Sequence, residues 1–198
     1  MEAELLDLLS ARQGHFRLES GHHGNLWLDL DSLFLQPKRL LPFARELARR
    51  LSTYRVEAIV GPRIGGALVA EMVAAELGLR AFSSERFEET GSERLYSARY
   101  RVPDAFHDHV RGKAVAIVDD AINAGSATRA TFAALTSLGA RPVVVGTLLM
   151  LGTAASPFLQ ENSLPVERIA FLGNELWEPA DCPMCAAGIP LNTPPAED

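Results

Sequence analysis

The run Ala114-Val-Ala-Ile-Val118 is followed directly by Asp119-Asp120, and then by Ala-Ile-Asn123-Ala124-Gly125-Ser126-Ala127-Thr128-Arg129. Five consecutive apolar residues suit a strand over 114–118 buried on both faces, and the small residues beyond it open a helix predicted over 126–138. In an open α/β sheet, ligands bind outside the carboxyl ends of the strands, which is where these two acids fall. Residues 123–128 offer backbone N–H groups, short polar side chains and a helix N-terminus, a combination that suits a phosphate. Asp119 and Asp120 share the anion's sign and cannot hold it. Their chemistry is to accept hydrogen bonds from sugar hydroxyls or to organise Mg²⁺ through its waters. The stretch reads as a site for a phosphorylated sugar.

The rest of the chain repeats the same alternation. A short amphipathic helix is predicted over 2–12, from the spacing of Leu5, Leu6, Leu8 and Leu9. A short strand with a turn follows at 16–21, then an apolar strand at 26–30. A helix is expected over 39–51, with Pro42 in its first turn. Strands at 57–61, 79–83, 141–151 and 168–172 and a helix at 65–77 complete the pattern. Leu95–Val102 alternates loosely, as one arm of a hairpin. Strands separated by helices imply βαβ units. The fold class is therefore α/β: a mainly parallel twisted sheet flanked by helices. Residues 1–35 read as a small appendage covering one end of the sheet, residues 36–198 as the core with a C-terminal extension, and the tail from Asn192 as frayed.

A second strand–glycine–helix junction stands at Val60-Gly61-Pro62-Arg63-Ile64-Gly65-Gly66. Its glycines let the backbone approach an anion closely. The spacing is not that of the G-x-G-x-x-G dinucleotide fingerprint. Ser126 lacks the second Gly of a G-x-S-x-G hydrolase elbow. The formal net charge of −6 argues against a nucleic-acid partner, and 47% hydrophobic content is ample for a core. No apolar run reaches membrane-spanning length and the start lacks a basic leader, so no membrane partner and a cytoplasmic address are expected.

The acid pair and its loop resemble the phosphoribosyl-pyrophosphate (PRPP) signature of type I phosphoribosyltransferases. The resemblance implies that Asp119 and Asp120 meet the ribose hydroxyls and act in catalysis. It implies that Asn123, Ala124, Gly125, Ser126, Ala127 and Thr128 wrap the 5′-phosphate. Arg63, Ile64, Gly65 and Gly66 then bind pyrophosphate together with Mg²⁺, and no direct protein ligation of a metal is assigned. Phe16-Arg-Leu18-Glu19-Ser20-Gly21 is similar to the turn found in orotate phosphoribosyltransferases, and residues 1–35 to the family's N-terminal hood. By that likeness Ser20, Gly21 and Arg129 face the base, most simply orotate. Cys182-Pro-Met-Cys185-Ala-Ala-Gly-Ile-Pro-Leu191 is similar to an ending seen in some members. A homodimer whose loops reach into the neighbouring site is also implied.

Three positions depart from the family pattern. Glu19 stands where many orotate enzymes carry Lys, and Asn123 where Thr is usual. The loop that is elsewhere rich in Lys reads Glu85-Arg86-Phe-Glu88-Glu89-Thr-Gly91 here. Arg86 is the first candidate to close over pyrophosphate; Arg94, Arg99, Arg101, His107 and His109 are others. The acidic loop motivates a second reading, a PRPP-binding regulatory protein without turnover. Glu19 motivates a third, transfer to an uncharged base. Cys182 and Cys185 supply two of the four ligands a structural zinc site needs. His22, His23, His107 or His109 would have to complete it, and a reduced structural pair is the simpler expectation.

Overall fold

The computed structural model describes residues 1–87 and 95–193. Glu88 to Gly91 of the acidic loop, and Arg94, lie outside that range. Helix α1 (Glu2–Leu6) buries Leu5 and stops well short of residue 12, while Leu8 and Leu9 pack on the same core from the turn that follows. Strands β1 (Ser10–Arg17) and β2 (His23–Asp29) form an antiparallel hairpin with a β-bulge between Gln13 and Phe16. Both start earlier than predicted, because polar residues such as Ser10, Arg12 and Gln13 give no apolar alternation to read.

Helix α2 (Pro37–Leu51) begins at a proline, whose missing N–H costs nothing at that position. Pro42 therefore falls in the second turn rather than the first. The carbonyl left without a partner belongs to Lys38, an exposed residue that water can reach. Strand β3 (Ala58–Pro62) leads to α3 (Gly65–Leu77), then β4 (Arg80–Phe87), β5 (Arg99–Arg101) and the single-turn α4 (His107–Val110). Strand β6 (Ala114–Ile122) and α5 (Ser126–Ser137) form the organising unit. After them come β7 (Arg141–Leu151), α6 (Ser156–Glu161), β8 (Val166–Leu172), β9 (Leu176–Trp177) and α7 (Pro183–Ala186).

Six strands form one sheet in the order β5-β4-β3-β6-β7-β8, parallel except for β5 at the edge. Along β6, Ala116 and Val118 face the helices α2 and α3, whereas Val115 and Ile117 face the side that Leu135 of α5 and Leu159 of α6 cover. Alternate residues thus enter two different cores, which is why the strand reads as continuously apolar. Strand β6 also runs four residues past Val118, through both acids. The apolar partner strand β7 holds it in register, with Asp119 opposite Thr147 and Ile122 opposite Met150. Separately, β1, β2 and β9 make a three-stranded antiparallel sheet that joins the N-terminal hairpin to the C-terminal region.

The strand order contains one reversal that matters. From β3 the chain turns outward to β4, and from β6 it turns the opposite way to β7. The loops leaving β3 and β6 diverge to opposite faces, and the crevice between them is the topological switch point where open sheets bind ligands.

Candidate active site at the switch point

Both predicted anion loops lie at that crevice. Gly125, with φ of 79°, is the N-cap of α5 and offers no side-chain acceptor; Ile64 plays the same uncapped role for α3. The first N–H groups of two long helices are therefore left for a ligand, at the positive ends of their dipoles. The Arg63–Ile64 peptide is cis.

The two loops meet through the acid pair. A Cβ at Gly66 would stand 2.5 Å from Oδ1 of Asp119, and one at Gly65 would overlap the Asp120 carboxylate. Only glycine lets the start of α3 approach the end of β6 this closely. Asp119 is 5% exposed. Its Oδ1 accepts the Asp120 N–H at 3.1 Å and its Oδ2 the Thr128 hydroxyl at 3.4 Å. Asp120 Oδ1 accepts the Ala121 N–H at 2.9 Å. Burial, and next the neighbouring Asp120 carboxylate, push Asp119 well above the usual carboxylate range. Burial likewise raises Asp120. Two carboxyls crowded together, one buried and one half-buried, favour any ligand that brings hydroxyl donors or a cation.

Arg63 is not a free cation. Its guanidinium donates to Ser83 Oγ at 3.2 Å and pairs with Glu85 at 3.3 Å, while its N–H donates to the Ser84 carbonyl. Asn123 is held from a distance: its Oδ1 accepts a bond of 3.0 Å from Nδ2 of Asn174, in the loop between β8 and β9. Asn174 was not singled out in the sequence, and nothing local to Asn123 could have pointed to it.

Across the crevice the β1–β2 turn carries Ser20 and Gly21. Gly21 has φ of 82°, and its N–H closes the turn on the Leu18 carbonyl. Ser20 is buried, with its Oγ 3.0 Å from Nδ1 of His22, and its carbonyl accepts the Tyr96 N–H at 2.9 Å. Tyr96 links this turn to the far side. Its ring lies edge-on to His22 at 5.2 Å, and the Arg129 guanidinium sits 4.5 Å from its centroid. Phe158 covers the same guanidinium at 4.6 Å. Burial lowers the His22 pKa, with Arg129 acting in the same direction and Glu178 against it, so the imidazole is neutral at pH 7. Ser20, Gly21 and Arg129 are thus assembled around one aromatic residue. Tyr96 stood in the loosely alternating stretch at 95–102 with no mark of its own.

Glu19 of that turn points to β4 and β5. Its carboxylate accepts from the Tyr100 hydroxyl at 3.2 Å and pairs with Arg86 at 3.3 Å. The register of β4 on β5 places Arg86 opposite Tyr100, so a single carboxylate reaches both. Burial, then the Glu19 and Asp119 carboxylates, push the Tyr100 phenol up and keep it protonated. Arg99 and Arg101 lie on the edge strand β5, and His107 and His109 on α4. His107 binds the Val102 carbonyl and His109 stacks on Phe82, which uses both rings structurally.

The chain is similar to known proteins over almost its whole length. The orotate phosphoribosyltransferase of Caldanaerobacter subterraneus is 31% identical over 182 residues, covering 92% of this chain and 88% of that one. That of Thermotoga maritima is 31% identical over 195 residues, covering 98% and 97%. Among solved structures, the orotate phosphoribosyltransferase of Aeropyrum pernix superposes with a TM-score of 0.60 at 22% identity, over 82% of this chain and 88% of that one. An adenine phosphoribosyltransferase from Thermoanaerobacter pseudethanolicus gives 0.67 at 18% identity, over 86% and 99%. These structural likenesses establish the fold. No protein-family model matches the chain.

Proposed function

The chain belongs to the orotate phosphoribosyltransferases, and on that premise we propose how its residues divide the work of moving ribose 5-phosphate from PRPP to orotate. In this pentosyl transfer a ring nitrogen of orotate bonds to the anomeric carbon of the ribose. The bond from that carbon to the pyrophosphate oxygen breaks. The products are a pyrimidine nucleoside 5′-monophosphate and pyrophosphate. Negative charge gathers on the leaving group and positive charge on the ribose ring. Positioning and preorganised electrostatics are then the main sources of rate.

The first-turn N–H groups at Ser126, Ala127 and Thr128, with Asn123, Ala124 and Gly125, receive the 5′-phosphate. Gly65 and Gly66, with Arg63 and Ile64 beside them, receive pyrophosphate at the start of α3. Asp119 and Asp120 accept from the ribose hydroxyls and oppose the positive charge on the ring. Arg129, stiffened between Tyr96 and Phe158, recognises the planar orotate carboxylate with the Ser20-Gly21 turn. Arg86 closes over pyrophosphate, released from Glu19 as it does so. The oxygen donors of the acid pair suit Mg²⁺, a hard cation that would relieve their mutual repulsion. Bound with PRPP, it would neutralise charge on the departing pyrophosphate. Residues 1–35 serve as the hood over the base and residues 36–198 as the PRPP-binding core.

One observation carries this reading: two uncapped helix N-termini flank an acid pair, its first member buried, at the sheet's switch point. They match a sugar with an anion at each end. A homodimer is supported by the large apolar side chains left exposed at Ile64, Leu68 and Phe87, around the pyrophosphate loop and β4. Work in the cytoplasm accords with the described helices, none of which is long and apolar enough to cross a membrane.

The test is release of pyrophosphate from PRPP and Mg²⁺ in the presence of orotate, alongside other bases. Release dependent on orotate is expected. Calorimetric binding of PRPP with no release for any base would overturn turnover in favour of a regulatory role. Release with uncharged bases alone would reassign the acceptor.

A further inference from the structure

His15, His23, Cys182 and Cys185 come together at the hood hairpin, and none of the four has a part in the transfer reaction proposed above. Each offers one ligand atom, and all four atoms lie within 4.8 Å of one another. Arg17 pairs with His23, and His15, two residues earlier, lies within the bulge between Gln13 and Phe16, which re-aims its side chain toward His23. The two cysteines flank the start of α7, whose N-cap is Cys182.

Four of the six separations are close to those of a metal shell, and a bound ion would draw the four atoms in from their widest spread of 4.8 Å. Nε2 of His15 is 3.0 Å from Nδ1 of His23, 3.4 Å from Sγ of Cys182 and 3.7 Å from Sγ of Cys185. Cys185 Sγ is 3.3 Å from His23 Nδ1. A tetrahedral ion with Zn–S bonds of about 2.3 Å and Zn–N bonds of about 2.0–2.1 Å holds its ligand atoms about 3.3–3.8 Å apart. The tautomer of His15 is set as well. Its Nδ1 lies 2.8 Å from the carbonyl of Ile189 and must carry the proton, so the Nε2 lone pair points into the cluster. A backbone carbonyl on the second ring nitrogen is the usual outer support of a metal-bound histidine.

We propose that these four side chains bind one Zn²⁺ in a closed, structural Cys₂His₂ site. Two thiolates and two imidazoles are a borderline-soft, tetrahedral donor set, which selects zinc over the magnesium of the substrate site. All four positions are filled by protein, leaving none for a reacting water. The ion ties the C-terminal segment to the hood hairpin, and the backbone is shaped for that contact. The N–H of His15 donates to Oδ1 of Asn192 at 2.7 Å, and the Asn192 N–H returns to the His15 carbonyl at 2.6 Å. A Cβ at Gly14 would stand 2.5 Å from that same Oδ1. His23 stands two residues past Gly21, at the turn end of the hairpin, so the metal steadies the base side of the active site without touching substrate.

The experiment uses the full-length chain, reduced, stripped with a chelator and titrated with Co²⁺ and then Zn²⁺. One equivalent of Co²⁺ should give the intense visible bands of a tetrahedral thiolate site, displaced stoichiometrically by Zn²⁺. Both thiols should resist alkylation when loaded and react when stripped. The double variant Cys182→Ser, Cys185→Ser should lose the equivalent, with binding weakened by at least about 100-fold. Should that variant not fold, the alkylation contrast on the unaltered chain decides alone. Weak octahedral cobalt spectra, sub-stoichiometric binding, thiols equally reactive in both states, or a Cys182–Cys185 disulfide in the native protein would each overturn the site.

Discussion

The Arg86 guanidinium lies 3.3 Å from the Glu19 carboxylate, joining the strand that leads to the acidic loop with the β1–β2 turn. Both side chains are substantially exposed, so the pair contributes only about 0–1 kcal/mol to stability. Its importance is in what it occupies. The cation proposed to close over pyrophosphate is held by a carboxylate of the β1–β2 turn.

Arg86→Ala should therefore lower kcat/KM by about 10- to 100-fold, with a stability change under about 1 kcal/mol. Glu19→Gln should move in the opposite sense at low pyrophosphate, because it frees the guanidinium. Steady-state rates and thermal melts on both variants check this. Equal rates for Arg86→Ala and the unaltered chain would remove Arg86 from the site.

The acid pair predicts a trade between stability and activity. Asp119 and Asp120 both have carboxyl pKa values raised by burial. A raised carboxyl holds its proton more tightly folded than unfolded. The penalty is absent below the ordinary carboxylate range, and it grows as pH climbs through the window between that range and the raised values. Asp119→Asn should thus raise the Tm of the ligand-free protein near pH 7, by about 2–4 °C for each kcal/mol relieved, while lowering kcat by about 100-fold or more.

The same sign governs ligand binding. Ribose hydroxyls donate to ionised carboxylates, so PRPP binding should expel protons and tighten as pH rises through the raised range. Calorimetry in buffers of different ionisation enthalpy measures the proton count directly. Proton uptake on binding would contradict the assignment.

Gly66→Ala places a methyl 2.5 Å from Asp119 Oδ1 and 2.8 Å from Cδ of Pro62. Neither neighbour is the end of a flexible chain, so either the loop or the acid must shift. We expect about 1–3 kcal/mol of destabilisation and a loss of PRPP affinity of tenfold or more by titration calorimetry.

Arg129→Ala should raise the KM for orotate by about 10- to 100-fold while leaving PRPP binding within about threefold. Arg129→Lys should not rescue it, since an ammonium lacks the planar fork that stacks between Tyr96 and Phe158. A uniform loss of both substrates would point to a packing role only.

Both strand–glycine–helix junctions were legible in the sequence because each is contiguous: a buried strand, a few small residues and a helix start carry the whole signal. The long strand at 141–151 and the helix at 65–77 were read correctly for the same reason. What escaped was assembled from afar. Asn174 reaches Asn123 across 51 positions, and His15 meets Cys182 across 167. The two-residue strand β9 exists only through its pairing with β2. The extension of β6 through two acids ran against their poor strand propensity, and only the partner strand β7 explains it. The weak alternation in β1 likewise hid a hairpin whose face is set by a bulge.

The pairing of β9 with β2 makes the last part of the chain a wall of the first. The six-stranded sheet is complete once β8 is made, whereas the three-stranded sheet also needs β9, which follows it in the chain. The smaller sheet therefore closes across most of the sequence, a long-range contact that makes it the slower of the two to form.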